Sequence, residues 1–434
     1  MNLSRSCSRF FVIATLAIPL NIAAAAETAG ADDPALRQAR EFLKKHPLID
    51  GHNDLPAVIR ESGRPPRDIV AYDLNRRAAG DTDIARLREG GVGGQFWSVW
   101  IPSSADVGKK GFARIQLEQI DIARRMVERY PDDFRLALTA ADIDAANRAG
   151  RIASLLGIEG GHAIENSLGA LRAYYRLGVR YMTLTHFNGN DWADAATEAP
   201  RHGGLTKFGA EVVREMNRLG MLVDISHVSS ETMNDVLDIA EAPVIFSHSS
   251  AKAITPSIRN VPDEVLRRLP QNGGVVMVDF ISEFNVTGPA FDEWQAGFAA
   301  ASGVKLGDAR YDEEKAKYSA IHPEPMATIQ DVADHIEHVR DVAGIDHVGI
   351  GADFFGDASF MAAGLEDTSH YPHLFAELIR RGWNDGLLIK LARSNLLRAL
   401  RAAEQAAASL QKARPASIET IEQLDAGRGE PDKY

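Results

Sequence analysis

Cysteine is nearly missing from this chain: one residue in 434 carries a thiol, Cys7, and it lies in an N-terminal segment with the marks of a removable leader. Arg5 and Arg9 precede an apolar stretch over 10–20, and small residues over 21–26 suit A-x-A cleavage. Residues 1–26 therefore read as a secretory signal cut between Ala24 and Ala26. Pro19 and Asn21 interrupt a run already short for a bilayer, which argues against an uncleaved anchor. The mature chain then has no thiol, cannot be stapled by disulfides and must be held by its core. About 400 mature residues are ample for that, since chains of this size bury roughly three-quarters of their unfolded surface. Surplus positive charge is missing as well. Sixty acidic residues against 48 basic ones leave a net charge of −12, and no basic cluster with interleaved aromatics is present, which argues against nucleic acid as a partner. A soluble, periplasmic or secreted globular protein is the expectation.

What is present is an alternation of short apolar runs with amphipathic stretches, the pattern of repeated βα units around a parallel sheet. Strands are expected near Leu48, Phe96, Leu156, Met182, Val223, Ile245, Val276 and Gly349. Helices are expected over 115–130, 168–177, 208–219, 230–240, 263–269, 329–342, 375–381 and 386–402. Eight such units make a closed (β/α)8 TIM barrel the leading architecture, an α/β fold in one domain over 27–404. An excursion over 282–325 interrupts the pattern after the seventh strand and fits a lid, a subunit contact or a surface helical insert. From 405 to 434 the chain is polar, with Pro and Gly, and a poorly ordered tail is expected.

Six apolar runs end in side chains able to ligate a metal: His52 with Asp54, then Glu159, His186, His227, His248 and Asp353. A parallel barrel gathers the C-terminal ends of its strands around one mouth, so these distant residues are expected to converge. His52 and Asp54, one residue apart at a strand end, would point to the same side and grip one ion. Glu159 stands among glycines in Gly157-Ile158-Glu159-Gly160-Gly161-His162, and its two oxygens can bridge two cations about 3.5 to 4 Å apart. His227 and His248 would supply neutral nitrogens to the second ion. This mixture of imidazole and carboxylate suits zinc better than magnesium or calcium. His335 and His338 are set aside as part of a solvated helix face outside the barrel. His46, His202, His322, His347, His370 and His373 are also set aside, and His162 is placed behind Glu159. The pattern is that of a metallohydrolase.

The segments around these residues resemble the renal (membrane) dipeptidase family of zinc peptidases, family M19. They include Leu48-Ile49-Asp50-Gly51-His52-Asn53-Asp54-Leu55-Pro56, the glycine-rich run through Glu159, and Tyr181-Met182-Thr183-Leu184-Thr185-His186 with Trp192-Ala193-Asp194. They continue through Asp224-Ile225-Ser226-His227-Val228-Ser229, Phe246-Ser247-His248-Ser249-Ser250-Ala251, Arg259-Asn260-Val261-Pro262 and the stretch from Ala343 to Asp353. The likeness spans about 47–400, nearly the whole mature chain.

The resemblance implies that His52 and Asp54 hold a first Zn2+, that His227 and His248 hold a second, and that Glu159 bridges the two. It implies substrate binding by His186 and Arg259 and a catalytic acid in Asp353. Arg259 would hold the substrate carboxylate through paired hydrogen bonds. A metal-activated hydroxide would attack the scissile carbonyl, His186 would help stabilise the oxygen, and Asp353 would carry a proton to the leaving amine. Homodimers, tolerance of a D-residue in the second position and, in some members, opening of β-lactam amides are implied too. Mammalian relatives use disulfides and a lipid anchor, whereas this chain lacks mature cysteines and an apolar C-terminal tail, so it is expected free in its compartment. Two departures from the family pattern stand out. Phe354-Phe355-Gly356 follows Asp353 where Phe-Asp-Gly is common, and Asp279-Phe280-Ile281 stands where Asn-Phe-Tyr is frequent. Two other functions stay open at this point: a dizinc amidohydrolase of non-peptide amides or lactones, and a metal-binding protein without catalysis.

Overall fold

A computed structural model describes residues 33–62, 68–304 and 310–426; the leader expected over 1–26, Cys7 included, lies outside these. The apolar runs form strands β1 (Leu48–Asn53), β2 (Val92–Ser98), β3 (Phe134–Leu136), β4 (Ile152–Glu159), β5 (Val179–Thr183), β6 (Leu222–Asp224), β7 (Ile245–Phe246), β8 (Val275–Val278) and β9 (Val348–Ile350). Every pairing among them is parallel. β1 pairs with β2, β2 with β4, and β4 to β9 follow in order until β9 returns to β1. Eight strands thus close a (β/α)8 barrel, and they are the eight expected. The remaining one, β3, pairs with the first residues of β4 and takes no part in closing the ring. Strands covered by side chains inside and helices outside have no solvated face, so they read as unbroken apolar runs. All residues of β1, β2, β4 and β5 are buried.

Amphipathic helices wrap the ring. Phe112–Arg129 turns Ile115, Ile120, Ala123, Met126 and Val127 inward, and Lys207–Leu219 does the same with Phe208, Val212, Val213 and Met216. Their N-caps end the loops that leave the strand tips. Ser229, for instance, accepts from Thr232 N at 3.1 Å and so starts the helix Ser230–Ile239 three residues after His227.

Two expectations need correction. His335 is fully buried rather than solvated: its Nδ1 accepts from Ala251 N at 2.9 Å, and its Nε2 lies 3.2 Å from Thr255 Oγ1. It belongs to the inner stripe of the helix Ile329–Ala343, with Val332, Ile336 and Val339, and satisfies a loop amide that would otherwise be stranded. His338 faces Asp263 at 2.7 Å. The second correction concerns the tail. The helix Asn395–Ala413 carries its apolar stripe on through Ala399, Leu400, Ala403 and Ala407, well past residue 405. Beyond it, Arg414 pairs with Glu241 at 2.5 Å, Ser417 O accepts from Arg172 at 2.8 Å, and Asp425 accepts from Lys207 N at 3.1 Å.

The excursion after β8 is helical where described, with Ser282–Asn285, Pro289–Ser302 and Tyr311–Ser319. Trp294 stacks on Phe298 at 5.8 Å, meets Tyr318 edge-on at 5.6 Å, and donates from Nε1 to His322 O at 2.7 Å.

Candidate active site

Register explains why residues far apart in sequence meet at one height. Glu159 is level with Thr183 of β5, Thr183 with Asp224 of β6, and Asp224 with Ile245 of β7. His186, His227 and His248 each follow their level residue at the same interval, so three imidazoles arrive beside Glu159 at the C-terminal rim. On the other side Asp50 is level with Ile350, which brings His52 and Asp353 together. Asp54 differs from expectation in one respect. It stands beyond the strand as the N-terminal cap of the helix Leu55–Glu61, with φ −89° and ψ 17°, and the turn rather than strand alternation carries its carboxylate to 3.3 Å from His52 Nε2.

Glu159 stands at the centre with its two oxygens turned apart. Oε2 lies 3.5 Å from His52 Nε2, while Oε1 lies 3.0 Å from His227 Nε2, 3.3 Å from His248 Nε2 and 3.6 Å from His186 Nε2. His227 Nε2 and His248 Nε2 are 2.8 Å apart, and Asp353 Oδ1 is 3.7 Å from His52 Nε2. Burial pushes the Glu159 carboxyl up, but the surrounding histidines, His52 first, outweigh it and hold the group well below its ordinary value. Burial pushes His227 and His248 well below an ordinary imidazole, helped by Arg259 at the first and His52 at the second. On the Oε1 side the anion thus faces the neutral nitrogens of His227 and His248, whereas on the Oε2 side burial lowers His52 but Tyr181, Glu159 and Asp54 outweigh it and raise that imidazole well above its ordinary value. Asp353 is pushed the opposite way from Glu159: burial, reinforced by Asp54 and Glu159 against the pull of His52, raises it well above a normal carboxyl.

A layer of polar side chains fixes these donors. His52 Nδ1 lies 2.8 Å from Tyr181 Oη, and His248 Nδ1 lies 2.8 Å from Ser247 Oγ, which donates to Asp224 Oδ2 at 2.6 Å. Asp224 also accepts from Ser226 N, Ser247 N and Thr183 Oγ1, tying the ends of β5, β6 and β7 together. Asp50 does the same for β1 and β9, accepting from His52 N, Gln95 Nε2, Ala352 N and Tyr371 Oη at 2.6 to 2.9 Å. This bracing has strain to hold: His227 and Asp353 have φ of 66° and 65°, a conformation that costs an L-residue about 1–2 kcal/mol. Sequence reasoning assigned no role to Asp50, Tyr181, Asp224 or Ser247. A signal existed, for Asp50 and Asp224 each stand shortly before a site histidine and accept from the amide two residues on.

Arg259 lies beside this cluster, 3% exposed, with Nη2 3.4 Å from His248 O and its guanidinium 5.3 Å from the centre of the Phe284 ring. Among the described residues its Nε and Nη1 meet no acceptor. His186 is flanked by the rings of Trp100 at 5.7 Å and Phe187 at 4.3 Å, and Phe187 stays half exposed. Every residue singled out from the sequence therefore stands at the same rim.

The donor set fits divalent cations. Oxygens and nitrogens of His52, Glu159 and His248, of Glu159, His186 and His227, and of His52, Asp54 and Asp353 lie within 4.8 Å of one another in each trio. Among the described residues His52 Nε2, though ringed by carboxylates, and Asp54 Oδ1 are buried without a hydrogen bond, which costs about 1–3 kcal/mol per group unless something binds them.

A closed parallel barrel with metal-capable donors buried at its C-terminal rim defines a barrel metallohydrolase. Residues 36–414 match the family model of membrane dipeptidase, peptidase family M19, and the chain belongs to that family: it is a metallo-dipeptidase. It is 41% identical over 389 residues to dipeptidase verJ of Clonostachys rogersoniana, covering 88% of this chain and 90% of that one. It is 39% identical over 379 residues to dipeptidase 3 of Mus musculus, covering 86% of this chain and 68% of the relative. Among solved structures, a metallo peptidase from Rhodobacter sphaeroides liganded with a phosphinate mimic of L-Ala-D-Ala is 25% identical with a TM-score of 0.66, over 82% of this chain and 99% of that one.

Proposed function

We propose that this metallo-dipeptidase is a dizinc enzyme whose substrates include dipeptides ending in a D-residue. His52 and Asp54 would hold one Zn2+, His227 and His248 the other, and Glu159 both. The observation that carries this is the opposed aim of the Glu159 oxygens, one toward His52 and the other toward His227 and His248. Two zinc ions supply acidification of a water and polarisation of the scissile carbonyl. The chain supplies the rest. Arg259 offers two buried, unpartnered N–H groups to the terminal carboxylate and so fixes the amide against the cluster. His186, on the Oε1 side of Glu159, steadies the carbonyl oxygen. Asp353, held above its usual range, takes a proton from the attacking water and delivers it to the departing amine. Tolerance of a D-residue is supported by the relative solved with an L-Ala-D-Ala mimic.

We further propose a periplasmic or secreted homodimer, free of the membrane once the leader is cut. Among the described residues no helix is long and apolar enough to cross a membrane. The test is an assay of the mature protein on L,L- and L,D-dipeptides, their C-terminal amides and tripeptides, with metal analysis before and after chelation. Turnover of free dipeptides alone, lost on chelation and restored by zinc, is expected. Turnover that survives chelation would sink the metal mechanism, and equal turnover of amides would favour a broader amidohydrolase.

A further inference from the structure

Asp279 follows β8 and is fully buried, and its partners Ser250 and Asn285 stand two residues and one residue after His248 and Phe284, whose carbonyl oxygen and ring Arg259 meets. Its Oδ1 accepts from Asn285 Nδ2 at 2.7 Å and from Ile281 N at 3.2 Å. Its Oδ2 lies 3.1 Å from Ser250 Oγ, and Ser250 Oγ lies 2.9 Å from Asn285 Oδ1. The amide of Asn285 is oriented unambiguously, because its nitrogen also meets Asp279 O at 3.1 Å and Ile281 O at 2.8 Å. Ser250 has one proton and faces two acceptors. With Asp279 ionised, one of those contacts is oxygen against oxygen with nothing between. With a proton on Oδ2, Asp279 donates to Ser250, Ser250 donates to Asn285, and the network closes. An asparagine would close it permanently, its amide nitrogen standing where Oδ2 stands.

Among the described residues no carboxylate forms a salt bridge with Arg259, and of the acidic groups that act on it Asp279 acts most strongly, ahead of Asp353, Glu159 and Asp224. We propose that Asp279 is an internal competitor for Arg259, an affinity-setting residue whose negative charge opposes capture of a substrate carboxylate and must be neutralised by a proton when that carboxylate arrives. This rests on Arg259 being the carboxylate anchor. The proton comes from solvent, one for each substrate held. Charged and titratable groups facing Asp279 are Arg259 from the loop after β7 and Asp353 from the loop after β9. His335, on the helix Ile329–Ala343 behind Ala251 and Thr255, is pushed down to about 3 by burial and is neutral. Burial pushes Asp279 up, Arg259 pulls it down, and the result is about 6.

The experiment compares Asp279→Asn with the parent, both zinc-loaded, on L-Ala-L-Ala. With Asp279 at about 6 and one proton required, the variant at about pH 8 should show a KM about a hundredfold lower, the two should converge near pH 5, and the change should fall on KM rather than kcat. An equal or higher KM at the upper pH, or the same gap at both, overturns the proposal. Absence of dipeptide turnover in both proteins would instead sink the function assigned to Arg259. A substrate-free readout accompanies it. A carboxyl raised by folding weakens the fold as pH rises through its folded value, and asparagine does not. The melting temperature of the variant minus that of the parent should therefore grow between about pH 5 and pH 8, and a flat difference refutes the charge assignment.

Discussion

Tyr181 reaches His52 by lying across Gly157: the phenol oxygen is 2.8 Å from His52 Nδ1, and a Cβ on Gly157 would stand 2.0 Å from Tyr181 Cζ. A glycine in β4 thus makes room for the ring that presents His52 Nε2 to the cluster. When Nδ1–H donates to the phenol, Nε2 is left with a lone pair for a cation, the usual task of a group behind a ligating histidine. Tyr181→Phe should keep the fold and lower zinc affinity by about tenfold or more, measured by competition with a chromophoric chelator. Gly157→Ala should be far more damaging, because the clash lies in a buried strand with no room to shift. A loss of roughly 1–3 kcal/mol or more is expected from denaturant unfolding.

Ser247 plays the corresponding part for His248. It accepts from His248 Nδ1 and donates to Asp224, so the tautomer of His248 is set by a buried carboxylate one hydroxyl away. Ser247→Ala should lower zinc affinity by about tenfold with little change in melting temperature. Asp224→Asn should cost both affinity and stability, since Asp224 also braces Ser226 N, Ser247 N and Thr183. Equal metal affinity in Ser247→Ala and the parent would contradict the assignment.

The barrel and the rim are legible because His52, Glu159, His186, His227, His248 and Asp353 each end an apolar run, and parallel closure does the rest, whereas Arg259 rests on the family resemblance alone. The eight ring strands, from Leu48 to Ile350, were visible as runs long enough to be buried on both sides. The bracing was not visible. Asp50 and Asp224 read as ordinary polar residues at strand ends, and only the closure of β9 on β1 shows that Asp50 binds Ala352 N next to Asp353. His335 was misjudged because one polar residue on a helical stripe looks like its solvated edge, and the loop that covers it starts at Ala251, remote in sequence. The tail was misjudged by composition, since alanines carry a stripe as well as leucines do when the helix beneath is close.

The tail offers its own prediction. Arg414, Ser417 and Asp425 strap the chain end to the helix Lys207–Leu219 and its neighbours. Most of these contacts are exposed, and exposed ion pairs contribute about 0–1 kcal/mol each. Ending the chain after Ala413 should therefore lower the melting temperature by a few degrees and leave kcat and KM unchanged. A large fall in kcat would show that the strap reaches the active site.

Asp353 and His248 separate proton transfer from metal holding. Asp353 sits 3.7 Å from His52 Nε2 with a raised carboxyl and a left-handed backbone, held by Asp353 N donating to His52 O at 3.2 Å and by Ala352 N donating to Asp50. His248 faces Glu159 and His227 directly. Asp353→Asn keeps the shape and cannot carry the proton, so kcat should fall by about 10²–10⁴ while both zinc ions remain. His248→Ala should lose one of the two proposed zinc ions at saturation, leaving the other beside His52 and Asp54. Metal counting and kinetics on the same preparations decide the matter: if Asp353→Asn lost zinc as readily as His248→Ala, its role would be that of a ligand.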